Sequence, residues 1–217
     1  MRKSIAALGA ATLALTLSVA ITPSASAAAP VCATAAGVET CTGTLANGAG
    51  YTFKVPSNFA GTMFFWEHGF RSTYPGVTAV PKGVEEITPT SDLTGQNVTK
   101  EMLLAGYGLA AYDCSTGGLH GWNTADCVEM LNELVTITKK RISIKKTVVY
   151  GASMAGVVIT PFIEKYPNQA DAVGILAGLT PSVNNELKSG CDMLYIFSVF
   201  FDPTIKGCTV MGTKGVP

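Results

Sequence analysis

The run Val148-Val149-Tyr150-Gly151-Ala152-Ser153-Met154-Ala155-Gly156 constrains the fold more than any other stretch of this chain. Bulky β-formers give way to residues that are nearly all small, with a serine among them. Such a run reads as a buried strand that breaks through a tight turn into a helix and leaves the serine at the apex. The flanks agree. Residues 147–150 are continuously apolar, and a helical pattern follows from Met154 towards Tyr166. Pro161 is expected to kink or limit that helix, because proline lacks the amide donor the ladder needs.

The neighbouring segments place this turn in a βαβ series. Val128, Leu131, Leu134, Val135 and Thr138 recur at helical spacing. Asn123 or Thr124 can cap this helix, and Lys139-Lys140-Arg141 complements the negative end of its dipole. Residues 108–112 read as a further buried strand and residues 172–176 as one more strand. Val98, Met102, Leu103 and Leu104 mark a shorter helix that Gly106 stops. Alternating strands and helices imply a parallel sheet covered on both faces. Ahead of it, residues 37–45, 51–55 and 62–66 are short β-rich runs separated by Asn47-Gly48 and Pro56-Ser57-Asn58, which suggests an antiparallel start to the same sheet.

The N-terminus bears on location. Arg2 and Lys3 precede an apolar run over residues 5–21, then Pro23 and Ala25-Ser26-Ala27, the pattern of a secretory signal cut after Ala27. A membrane anchor is the competing reading, since the run approaches the ~20 residues that span a bilayer. The absence of charges after the run and its small-residue ending favour cleavage. Residues 1–27 are therefore assigned to a signal peptide and 28–217 to a single domain. With 15 basic and 15 acidic residues the formal net charge is zero, which favours neither nucleic acid nor an anionic membrane surface as partner.

All six cysteines lie beyond the cleavage site, and an even count in an exported chain suggests disulfides. Sequence alone leaves the connectivity open. The spacings form local couples, giving Cys32-Cys41, Cys114-Cys127 and Cys191-Cys208 as the expected pairs. A zinc site is disfavoured, because there is no C-x-x-C and neither histidine stands near a cysteine cluster.

The chemistry follows from the turn. Residues two positions either side of the serine must be small to clear the adjacent strands, hence the usual G-x-S-x-G. Here Gly151 holds the first position and Ala155 the second, with Gly156 just beyond. The helix starting at Met154 aims free amides at the place where an oxyanion would develop. Trp66-Glu67-His68-Gly69-Phe70 closes the strand at residues 62–66. Together with Gly61-Thr62-Met63-Phe64-Phe65, Gly106-Tyr107-Gly108-Leu109-Ala110-Ala111-Tyr112-Asp113 and Gly174-Ile175-Leu176-Ala177-Gly178, these segments resemble the α/β-hydrolase superfamily. More narrowly they resemble secreted actinobacterial serine hydrolases grouped with esterases and prolyl-oligopeptidase-like enzymes. The resemblance spans roughly residues 37–201.

It implies an α/β fold: a partial hydrolase sheet with antiparallel N-terminal strands, then parallel βαβ units, lacking the last strands. It implies Ser153 as nucleophile on an ester or amide bond of a small-molecule or peptide-like substrate. The backbone amides of Phe70 and Met154 would form the oxyanion hole, and His68 and Gly69 would shape its loop without acting as base. No cofactor and no metal are implied. Glu67 is unusual beside His68 and is read as solvated or paired with Arg71.

The departure concerns the base. In this superfamily the acid and histidine follow the serine, yet both histidines, His68 and His120, precede it. Asp171, Asp192 and Asp202 follow no recognisable later strand, so no triad acid is carried over. His120, flanked by Gly117-Gly118 and Gly121, is the one substitute base within the chain. Three readings stand in this order: an N-terminal piece of a longer hydrolase, with a missing C-terminal segment as partner; a non-catalytic binding or structural module; and a small hydrolase using His120. The apolar stretch over residues 193–201 reads either as a lid or packing surface for absent chain, or as an ordinary buried helix. Non-reducing mass spectrometry of the exported protein should find three disulfides, and free thiols would overturn that framework.

Overall fold

The computed structural model describes residues 29–70, 98–114, 124–180 and 183–205. The strands are β1 (Val31–Ala35), β2 (Val38–Thr44), β3 (Gly50–Pro56), β4 (Thr62–Glu67), β5 (Gly108–Tyr112), β6 (Lys146–Ala152) and β7 (Ala172–Leu176). The helices are α1 (Val98–Leu104), α2 (Thr124–Arg141), α3 (Gly156–Lys165) and α4 (Val183–Phe200). All seven strands join one sheet in the order β1-β2-β3-β5-β4-β6-β7. Pairing is antiparallel from β1 through β3 to β5, and parallel from β5 through β4 and β6 to β7. The expected antiparallel start followed by parallel βαβ units is the architecture found.

Strand alternation sorts side chains onto two faces. Phe53, Phe65, Ala110, Tyr112 and Val149 face α2 and α3, meeting Leu131, Leu134, Val158, Ile159 and Phe162. Trp66, Leu109 and Ala111 face the other way, towards Phe64, Met102, Leu103 and Tyr150. Leu131 and Leu134 are fully buried, each worth about 1.5–3 kcal/mol of hydrophobic stabilisation at that burial. Pro161 does not end α3. It removes one donor from the ladder, which resumes beyond it, so that the Tyr166 N–H bonds the Phe162 carbonyl at 2.8 Å.

Strand β1 was not expected. It pairs with β2 across a two-residue turn in which Ala36 and Gly37 both have positive φ, 49° and 75°. That is the geometry of the hairpin turns that follow sheet twist, usually signalled by Asn-Gly. Alanine in the first position hid the signal. The hairpin sets Cys32 opposite Cys41, and the two form a disulfide. A second disulfide joins Cys114, just past β5, to Cys127 in α2. Cys191 is also disulfide-bonded, and Cys208 lies outside the described residues.

The stretch over residues 193–201 is not a buried helix. It forms the C-terminal half of α4 and the residue after it, and Met193, Tyr195, Ile196, Val199, Phe200 and Phe201 are each more than half exposed. Among the described residues β7 forms the edge of the sheet, with Leu176 also exposed.

At the far end of β6, the Asp171 carboxylate accepts the Thr147 N–H at 2.8 Å and lies 3.6 Å from Lys146 Nζ. The backbone bond first, and the lysine charge after it, hold the Asp171 carboxyl below its ordinary range. A depressed folded pKa contributes stability that is present above the unfolded value and lost as pH falls through the folded one. Asp171→Asn should therefore lower stability near neutral pH, with the gap to wild type closing below about pH 4, the unfolded carboxyl range. Urea denaturation at stepped pH measures it.

Candidate active site

Strand β6 ends at Ala152, a short 3₁₀ turn occupies Ser153–Ala155, and α3 follows directly. Ser153 sits at φ +58°, left-handed backbone that costs a non-glycine residue about 1–3 kcal/mol unless its surroundings impose it. Here they do. The Leu179 N–H, from the loop after β7, bonds the Ser153 carbonyl at 2.9 Å. Met154 and Ala155 are fully buried, while Ser153 itself is exposed. The turn thus lifts one hydroxyl out of the sheet end and sinks its neighbours.

The small residues now have identifiable neighbours. A Cβ on Gly151 would lie 2.4 Å from the Ala155 Cβ and 2.4 Å from the Glu67 carbonyl oxygen. Ala155 therefore fits the second small position because residue 151 has no side chain. Gly156 answers a different need. Its missing Cβ leaves room for the Leu179 carbonyl, which would be 2.7 Å away. No local sequence pattern reveals that crossing, since Leu179 arrives from another strand.

The loop after β4 closes over the turn. Gly69 lies so near that an added Cβ would stand 3.1 Å from the Ala152 carbonyl oxygen and 3.2 Å from the Ser153 Cβ. Phe70 follows, partly exposed. The structure thus brings Ser153, Gly69 and the start of the 3₁₀ turn together, with first-turn amides that have no acceptor within the helix.

His68 is buried, at 1% exposure, and both ring nitrogens are engaged. Nε2 accepts the Cys114 N–H at 2.9 Å, and Nδ1 lies 2.7 Å from the Gly69 carbonyl. A backbone N–H can only donate, so Nε2 carries no proton and Nδ1–H donates to Gly69. The Asp113 carboxylate stands 3.9 Å from Nε2. With its acceptor nitrogen occupied by a backbone donor, His68 is held as a neutral tautomer with no lone pair to offer Ser153.

Glu67 is not solvated. It is fully buried, and its carboxylate shares the one proton of the Tyr112 hydroxyl with the Cys127 carbonyl, which lies 2.8 Å from that hydroxyl. Burial first, and the Glu67 carboxylate second, raise the Tyr112 hydroxyl well above its ordinary pKa. The strand period carried a usable signal: in β4, Met63, Phe65 and Glu67 alternate onto the same inward face. Arg71 and His120 lie outside the described residues.

The three aspartates after Ser153 are engaged elsewhere. Asp171 holds the start of β6, Asp192 pairs with Lys188 at 2.8 Å, and Asp202 accepts the Thr204 N–H at 2.9 Å. Cys32, Glu39 and Cys41 approach one another closely enough for a metal, but both sulfurs are consumed by their disulfide and Glu39 pairs with Arg141.

No protein-family model and no curated protein matches this chain. Among solved structures it is similar to a cold-adapted esterase from an Arctic intertidal metagenomic library, in a polyethylene glycol complex. That match has 13% identity and a TM-score of 0.49, covering 74% of this chain and 70% of that one. It is similar to a predicted CIB-like hydrolase from Thermoplasma acidophilum, with 14% identity and a TM-score of 0.42 over 73% of this chain and 67% of that one. It is also similar to an esterase from Aspergillus oryzae, with 19% identity and a TM-score of 0.46 over 73% of this chain and 31% of that one.

Gly151→Ala drives a methyl into the Ala155 Cβ and the Glu67 carbonyl, and a rigid backbone atom cannot give way as a flexible side chain would. The variant should lose about 1–3 kcal/mol, the usual cost of overpacking, measured by urea denaturation.

Proposed function

We propose that this chain carries the nucleophile half of an exported serine hydrolase of the α/β-hydrolase type, acting on an ester or amide. The observation that carries the reading is Ser153: exposed, at φ +58°, between a parallel strand and a helix, with Gly69 packed against it. In the reaction, Ser153 Oγ attacks the substrate carbonyl carbon and gives up its proton to a general base. The carbonyl oxygen becomes an oxyanion, received by the backbone amides of Met154 and Phe70. Collapse expels the alcohol or amine, which takes the proton back. Water then attacks the acyl-enzyme by the same route.

The base has to come from outside the described residues, because His68 has its acceptor nitrogen committed to Cys114. We read it as supplied by chain beyond the 217 residues, with His120 as the lesser alternative. Two features support this. Among the described residues β7 is the edge strand, with backbone groups on which a further strand could pair, and the apolar residues of α4 offer surface for more chain to cover. Export through the leader at residues 1–27 is supported by the two disulfides, Cys32–Cys41 and Cys114–Cys127.

A fluorophosphonate probe followed by peptide mapping tests the reading. Label should appear on Ser153, vanish in Ser153→Ala and survive His120→Ala. Without the base, the turn and oxyanion amides alone should retain about 10³–10⁴-fold acceleration over water. Labelling should therefore be slow, and faster in any longer product that brings a histidine. Folded protein that takes no label would overturn the assignment and favour a binding or structural module that keeps the scaffold.

A further inference from the structure

We infer that Glu67, Tyr112 and the Cys114–Cys127 disulfide are positioning groups that hold the His68-Gly69 turn against Ser153. The inference rests on Ser153 being the nucleophile. The observations form a closed circuit of contacts. Glu67 packs by its carbonyl and Cβ against Gly151, where an added Cβ would lie 2.4 and 3.1 Å from them. Its carboxylate and the Cys127 carbonyl, 2.8 Å from the Tyr112 hydroxyl, share that hydroxyl's one proton. Cys127 is joined covalently to Cys114. The Cys114 N–H donates to His68 Nε2 at 2.9 Å, and His68 Nδ1–H donates to the Gly69 carbonyl at 2.7 Å. Gly69 then meets Ala152 and Ser153, one and two residues beyond Gly151.

Its members are fixed to rigid elements. Glu67 ends β4, Tyr112 ends β5 and Cys127 lies in the first turn of α2. The end of β5 is anchored in turn, since the Asp113 N–H bonds the Gly50 carbonyl at 2.9 Å. Glu67, His68, Tyr112, Cys114 and Cys127 are all at most 1% exposed, so water does not compete for these bonds. The loop after β4 has left the sheet ladder by Gly69, so side-chain ties must fix it. An oxyanion donor misplaced by an ångström loses most of its effect.

The test uses the rate of fluorophosphonate labelling at Ser153, with hydrogen exchange read at the Cys114 and Gly69 amides. Tyr112→Phe keeps the ring and removes the hydroxyl. It should slow labelling about tenfold, a loss of about 1.4 kcal/mol in transition-state stabilisation, and speed exchange at both amides. The double variant Cys114→Ala/Cys127→Ala should do the same. Glu67→Gln, which can still hydrogen-bond Tyr112, should stay nearer to wild type than Glu67→Ala. Tyr166→Phe removes an exposed hydroxyl bond to Glu129 outside the circuit and should label as wild type does. Leu131→Ala is destabilised through the core alone. Below its melting temperature it should also label normally, which separates positioning from general loss of stability. Folded Tyr112→Phe and double-cysteine variants that label at the wild-type rate would overturn the inference. If wild type itself takes no label, the assignment of Ser153 fails. Unchanged exchange at Cys114 and Gly69 in Tyr112→Phe would then overturn the positioning claim on its own.

Discussion

Backbone passes within contact distance of backbone at Gly151, and the rest of the site depends on that closeness. Strand β6 lies parallel to β4 with Gly151 opposite Glu67, and the missing side chain lets the Glu67 carbonyl and the Ala155 methyl occupy the same small volume. Had residue 151 a Cβ, either the strands would separate or the helix would start elsewhere. The left-handed conformation of Ser153 follows, since a chain that must reverse into α3 immediately after that contact has few other routes. The Leu179 N–H then locks the Ser153 carbonyl, and Gly156 makes room for the Leu179 backbone. One steric constraint therefore produces an exposed hydroxyl, a buried Met154 and a helix N-terminus in a single turn.

The polar residues behind the turn are arranged for rigidity. Burying Glu67, His68 and Tyr112 would be costly if any were left without partners, and a polar group transferred from water unpaired costs about 1–3 kcal/mol by mutational measures. Their hydrogen bonds link β4, β5 and α2 across a disulfide, so each bond also helps to fix the others. The same arrangement disqualifies His68 as a base. A histidine whose acceptor nitrogen is filled by a backbone amide can hold a loop in place, but it cannot take a proton from serine without breaking that bond.

Much of this could be read from residue order. Six of the seven strands, α1, α2 and the strand-to-helix turn lie where hydrophobic period and turn chemistry place them, because each is a local pattern repeated over several residues. The hairpin strand β1 escaped because Ala36 stands where a turn of that type ordinarily has Asn, and a five-residue strand next to the leader had no other mark. Pro161 is expected to kink or limit its helix, and α3 runs through it, since a single missing donor matters less than the burial of Val158, Ile159 and Phe162. The apolar stretch near the C-terminus signalled its composition clearly, and composition does not say whether such a helix is covered. In the structure its large side chains are exposed.

Residue order alone sets a serine at the apex of a tight turn between strand and helix, a His-Gly turn at the end of an earlier strand, and both histidines of these 217 residues ahead of the serine. These are properties of neighbouring residues and of order along the chain. Packing in three dimensions sets Gly69 on Ser153 and Leu179 across Gly156, buries Glu67 against Tyr112, and spends His68 on Cys114. The cause is distance along the chain. His68 and Cys114 are 46 residues apart, as Glu67 and Tyr112 are 45, and hydrogen bonds over such separations are set by which strands the sheet makes neighbours.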